Sequence, residues 1–175
     1  MIKSTIFVKF AKITQLIVMT NKEIKIAYLE YSSLDELDVE DNRLALAAIE
    51  ATGLSYAPYS GFNVGAAVLL EDGEIIKGSN QENAAFPSGL CAERTALFYA
   101  GSSRPDTPVK ALALAAAQNG VLCTTPATPC GACRQVMAQC QTRSNKPMQI
   151  IMVGSERIWK FSRVDDLLPL IFDSI

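Results

Sequence analysis

Cys91-Ala92-Glu93-Arg94 and Pro129-Cys130-Gly131-Ala132-Cys133-Arg134-Gln135 decide how this chain folds and what it holds. Both stretches fall at predicted helix starts, where unpaired backbone N–H groups and the positive end of the helix dipole favour anions. Thiolate pKa values drop at such positions, and a bound metal lowers them further. Cys91, Cys130 and Cys133 are therefore candidate ligands of one zinc ion. A tetrahedral zinc with three protein ligands keeps one corner for water, which is the pattern of catalytic sites. Glu93, two residues beyond the first thiol, is the candidate proton carrier. Three thiolates leave an excess of negative charge at such a site. Arg94 is expected to offset it by donating to the sulfurs, whereas Arg134 either does the same or stays solvated.

Other readings of the same cysteines stand beside this one. A structural zinc site needs a fourth protein ligand, supplied by Cys123 or Cys140. On a helix, Cys140 lies about two turns, roughly 10 Å, from Cys133, which removes it. Cys123, in a strand or loop before Pro126, stays open. The C-x-x-C spacing alone also suits a redox dithiol, but that gives no reason for Cys91-Ala92-Glu93 or for Pro129. A zinc-stabilised RNA- or protein-binding module is the reading from a different class, and it requires four protein ligands.

The totals narrow the field. The chain has five cysteines, a poor disulfide framework, and no histidine, so a metal site must rest on sulfur and carboxylate. Thiolate ligands call for a reducing compartment, so a cytoplasmic location is expected. A length of 175 residues suits one domain, and a net charge of −2 leaves no basic footprint for a long nucleic acid. Residues 1–18 are apolar but broken by Lys3, Lys9 and Lys12, too interrupted to span a bilayer and without a clear secretory cleavage site. Residues 1–37 read as an N-terminal extension, loosely docked or partly artefactual, with Met19 as an alternative start. Residues 38–175 read as the domain.

Outward from the cysteines, periodicity predicts an alternation of strands and helices. Glu23–Tyr31 reads as an edge strand and Asp38–Ala51 as a helix with acids in its first turn, stopped by Gly53. Phe62–Leu70 and Ile75–Gly78 should pair as a hairpin across Glu71-Asp72-Gly73-Glu74. Asn80–Leu90 reads as a loop, Cys91–Ala100 as a helix ending at Gly101, and Val109–Ala117 as a central strand. A turn at Gln118-Asn119-Gly120 and a proline-containing loop lead to a helix over Cys130–Cys140. Gln149–Val153 and Ile158–Phe161 read as strands, and Ser162-Arg163-Val164-Asp165 has the form of a capping box opening a short helix that ends at Pro169.

Four ordered blocks resemble the small, all-cysteine cytidine deaminases: Tyr56–Ala67 (YAPYSGFNVGAA), Asn80–Ala84 (NQENA), Cys91–Ala96 (CAERTA) and Pro129–Gln135 (PCGACRQ). The tail Leu167-Leu168-Pro169-x-x-Phe172 fits too, and C-A-E with P-C-x-x-C is close to the general zinc-deaminase signature. The resemblance implies an α/β fold of three layers (α/β/α), with a mixed, roughly five-stranded sheet and zinc ligands at the N-termini of two helices. It implies one Zn2+ per subunit on Cys91, Cys130 and Cys133, with Arg94 on the sulfurs. Phe62 would stack on a pyrimidine, Asn80 and Glu82 would bind ribose hydroxyls, the Ala92 backbone would touch the base and Phe172 would help close the site.

The reaction so implied is hydrolytic deamination of cytidine and deoxycytidine in pyrimidine salvage, with zinc hydroxide attacking C4 and Glu93 shuttling protons. The family also implies a homotetramer with sites shared between subunits, acting on a small nucleoside rather than at a membrane. Two departures stand out: Phe86 occupies a position where many relatives carry tyrosine, and Gln118–Thr128 is longer than common. The second enzyme reading is a related deaminase of another base or of a nucleoside antibiotic such as blasticidin S.

Overall fold

The computed structural model describes residues 21–173. The expectations for residues 1–18 lie outside them. In chain order the elements are β1 (Leu29–Tyr31), α1 (Val39–Thr52), β2 (Phe62–Leu70), β3 (Ile75–Ser79), α2 (Ala92–Ser103), β4 (Val109–Gln118), β5 (Val121–Leu122), α3 (Gly131–Ser144), β6 (Gln149–Val153) and β7 (Ile158–Phe161). The sheet runs β1-β7-β6-β4-β2-β3, with β5 paired to β4 outside that path. The roughly five strands expected of the sheet are present, the expected N-terminal edge strand forms as β1, and the unexpected β5 brings the total to seven. Every pair is antiparallel except β4–β6. A parallel pair needs a long crossover, and α3 supplies it.

Side-chain alternation sorts the core into two layers. From β2, β4 and β6, Ala66, Val68, Leu112, Leu114, Ile150 and Met152 pack towards α2 and α3. Their neighbours Ala67, Leu69, Ala113, Ala115, Ile151 and Val153 pack towards Leu44, Ala45 and Ala48 of α1. Central strands buried on both faces read as continuous apolar runs, and β4 is buried from Ala111 to Ala117. Among the described residues no helix is long and apolar enough to cross a membrane.

Two glycines set how closely the helices lie. A Cβ on Gly65 would sit 2.2 Å from the Ala48 carbonyl oxygen of α1, and one on Gly78 would sit 2.5 Å from the Ala96 nitrogen of α2. Backbone therefore meets backbone on both faces of the β2–β3 hairpin.

Four local expectations are corrected. The regular part of the N-terminal edge strand is only Leu29–Tyr31, paired to β7. Helix α2 passes through Gly101 to Ser103, because one glycine in a final turn costs too little to end it. The turn after β4 places Asn119 and Gly120 at φ 52° and 79°, the conformation a two-residue hairpin demands, so the chain returns as β5. No capping box forms near Ser162. Val164–Asp166 is a single 3₁₀ turn, and its first N–H donates instead to Gln141 Oε1 of α3 at 3.0 Å.

Candidate active site

The site is built where two helices begin. Cys91 is the residue that opens α2 and Cys130 the one that opens α3, and neither side chain caps a backbone N–H of its own helix. That leaves both sulfurs free to point elsewhere. Cys133 lies one turn into α3 and is fully buried. The Cys91 and Cys130 sulfurs are 4.0 Å apart, those of Cys130 and Cys133 are 3.4 Å apart, and all three lie within 4.8 Å of one another.

The spacing fits a metal. Zinc–sulfur bonds of about 2.3 Å in a tetrahedron put sulfurs about 3.8 Å apart, between the two distances seen. Proton chemistry points the same way. The Cys91 thiol is pulled down to about 5 by hydrogen bonding from Cys133, and then from Arg94 and Cys130, against the opposing effect of burial. Cys133 is pushed up because its proton is held by Cys91, and because it is buried. Cys91 and Cys133 thus share a proton in the space a cation would fill.

Among the described residues no fourth thiol joins the cluster. Cys123 follows β5, tied by its own N–H to the Ala116 carbonyl. Cys140 packs against the core about two turns further along α3. The fourth protein ligand that a structural zinc site requires is not found there.

Glu93 occupies the first turn of α2 and is 4% exposed. Burial pushes its carboxyl above the ordinary glutamate range, and the neighbouring Cys91 adds to the shift. Arg94 donates from Nη2 to the Cys91 sulfur at 3.5 Å. Arg134 does neither of the things the sequence suggests: it donates to the Pro129 carbonyl at 2.8 Å and to the Leu167 carbonyl at 3.0 Å.

A second strip of chain is fastened to the start of α2. Gln81 and Leu90 exchange both backbone hydrogen bonds at 2.9 Å, so the strip Asn80–Glu82 runs beside Cys91. The Asn80 carboxamide accepts from the Val64 N–H at 2.7 Å and from Ser55 Oγ at 2.5 Å, and donates to the Phe62 carbonyl at 2.9 Å. Glu82 accepts from the N–H groups of Tyr59 and Ser60 at 2.8 and 3.3 Å and from Ser60 Oγ at 2.5 Å. The Ser60 and Tyr59 donors hold its carboxyl below the ordinary range.

Asn80, Glu82, Cys91 and Arg94 line one cavity of about 570 Å³ together with Tyr59 and Phe86, while Glu93, Cys130 and Cys133 lie outside its lining. Phe62 and Phe172 do not line it. The Phe172 ring is exposed, while its backbone N–H and carbonyl both pair with the Gln135 side chain, at 3.4 and 2.7 Å. Ala92 is fully buried behind Cys91. Phe86 is exposed and meets the Tyr59 ring edge-on at 5.7 Å. Ser55, Tyr59 and Gln135 were not singled out by sequence reasoning as site residues. Tyr59 and Gln135 could have been found from their places in the Y-A-P-Y-S and P-C-G-A-C-R-Q blocks, but no local signal marks Ser55. A larger cavity of about 630 Å³, between the C-terminal halves of α2 and α3, holds none of the candidate site residues.

A buried glutamate beside three converging thiols, one of which lines the cavity, in an α/β/α layer structure fits the class of metal-dependent hydrolases. Residues 38–146 match the cytidine and deoxycytidylate deaminase zinc-binding region. The chain is 52% identical over 93 residues to a cytidine deaminase of Halalkalibacterium halodurans, covering 53% of this chain and 65% of that one, just under two thirds of its length. It is 48% identical over 103 residues to a cytidine deaminase of Sporosarcina psychrophila, covering 59% and 70%. Two crystal structures of cytidine deaminases superpose on it. The Burkholderia pseudomallei one has a TM-score of 0.63 and 39% identity, with 74% of this chain and 97% of that one covered. The Mycobacterium tuberculosis one has 0.62 and 34%, with 78% and 100% covered. The chain belongs to the cytidine deaminase family of enzymes.

Proposed function

We propose that this protein hydrolyses cytidine and deoxycytidine to uridine and deoxyuridine, releasing ammonia. The observation that carries it is Glu93, buried beside three converging thiols at the start of α2. Cys91, Cys130 and Cys133 would hold one zinc ion per subunit, which supplies a Lewis acid that brings the pKa of a bound water to about 7.

The rest of the chemistry falls to the chain's own groups. Glu93 takes a proton from the attacking water and delivers it to N3 of the pyrimidine as oxygen bonds to C4. It then takes the proton of the new C4 hydroxyl and passes it to the amine as the C4–N bond breaks, leaving the C4 carbonyl and ammonia. A carboxyl whose proton affinity is raised by burial is suited to both halves of that relay. Arg94 offsets the charge of the Cys91 thiolate. Asn80 and Glu82 receive the sugar hydroxyls, Phe62 and the Ala92 backbone the base, and Phe172 closes the far side. The domain so assigned spans residues 38–175, with residues 1–37 as an extension.

The assembly is a homotetramer with sites shared between subunits, working in the cytoplasm in pyrimidine salvage. Exposed Tyr59, Phe86, Phe98 and Tyr99 support it, since rings of this size at a surface favour an interface.

A substrate panel on purified protein, with zinc stoichiometry measured on the same sample, tests the reading. Cytidine and deoxycytidine should release ammonia, and adenosine should not. Turnover of blasticidin S alone, or none at all from zinc-loaded protein, overturns it.

A further inference from the structure

The Asn80 carboxamide has one possible orientation. Its Oδ1 faces the Val64 N–H at 2.7 Å and its Nδ2 faces the Phe62 carbonyl at 2.9 Å, two backbone groups that cannot exchange roles. Ser55 Oγ, 2.5 Å from the same Oδ1, must therefore donate to it. An amide oxygen has two lone pairs, and Val64 and Ser55 occupy both. What Asn80 retains for the cavity it lines is a single N–H. Glu82, on the same cavity wall, is ionised and can only accept.

We propose that Ser55, which does not itself line the cavity, is a positioning residue that makes Asn80 a donor-only group towards substrate. A sugar hydroxyl between the two residues must then accept from Asn80 and give its own proton to Glu82. Recognition becomes directional. Without the Ser55 hydroxyl, the open lone pair of Asn80 Oδ1 accepts a hydrogen bond from a sugar hydroxyl or from water, and that direction is lost. The proposal rests on the cytidine deaminase reading.

The test is steady-state kinetics of Ser55→Ala, Ser55→Cys and Ser55→Thr on cytidine, 2′-deoxycytidine and 3′-deoxycytidine, with uridine binding followed calorimetrically. One neutral hydrogen bond is at stake, so Ser55→Ala should raise KM about 3- to 10-fold. That loss should fall on substrates carrying the hydroxyl that Asn80 meets and spare the analogue lacking it, with kcat changed less than about 2-fold. Uridine binding should weaken in parallel, and Ser55→Thr should restore both. If Ser55→Ala does not fold, Ser55→Cys, a weak donor of similar size, should show the same selective loss. Unchanged kinetics, or an equal KM rise on all three substrates, overturns the role of Ser55 while leaving the function standing. A wild-type protein inactive on all three overturns the function, and this proposal with it.

Discussion

Glu93 lies among sulfur and helix backbone, and the experiment that isolates it leaves that packing alone. Glu93→Gln keeps the shape and burial of the side chain and removes its ability to take a proton. Metal content by atomic absorption and the circular dichroism spectrum should match the wild type, while turnover falls about 10²-fold or more. A variant within a few-fold of normal rate would take Glu93 out of the relay. The metal cluster was readable because its chemistry is written in residue type: three cysteines at two helix starts admit few uses. Ser55 was not readable. Its partner Asn80 is twenty-five residues away, and a serine before an irregular turn carries no local signal of what its hydroxyl will meet. Gln135 stood in a recognised block, but its pairing with Phe172, thirty-seven residues away, was not readable from it.

At the scale of elements, α2 is fixed by what lies beneath it. A methyl group at position 78 would fall 2.5 Å from the Ala96 nitrogen, against backbone that cannot step aside. Gly78→Ala should therefore push α2 off the sheet, costing on the order of 1–3 kcal/mol, the range for overpacking. Urea unfolding read beside zinc content will show the effect, and an unperturbed midpoint with full metal would refute it. Helix α3 carries the other fastening. Gln135 grips both backbone groups of Phe172, while Arg134 holds Leu167. Gln135→Ala should free the tail and raise KM several-fold with little change in kcat or melting temperature. A kcat loss without a KM change would deny the tail a part in closing the site. Helices and long strands were legible from apolar periodicity; Asp38, read as the first residue of α1, is instead its cap, accepting from the Asp41 N–H. The short return strand β5 was missed because two residues carry no period, although Asn119-Gly120 signalled the turn. The expected cap at Ser162 failed because a distant glutamine, Gln141, had already taken the position.

For the whole molecule, metal and stability are linked. Cys91 and Cys130 leave their helix starts without side-chain caps, so a metal bridging them would join α2 and α3 at their open ends. Ligand present at 100 times its dissociation constant adds about 2.7 kcal/mol to the folded state. For a chain of this size that corresponds to about 5–10 °C in melting temperature. Chelator-treated protein should melt that much lower and recover on adding zinc. Identical melting curves would mean that the thiols hold no structural load. The hairpin of β2 and β3 has a reach of its own. Gly65 stands beside Ser79 and Gly78 beside Ala66, so the two bare positions are neighbours, one under each outer helix. The sandwich has its waist there, with no side chain to cushion one layer from the next. Bulk added to the inner face of α1, at Ala48 or Ala51, should travel through that waist to the thiols on the opposite side. A saturation library would then find some of its most damaging substitutions on the layer that never meets the nucleoside.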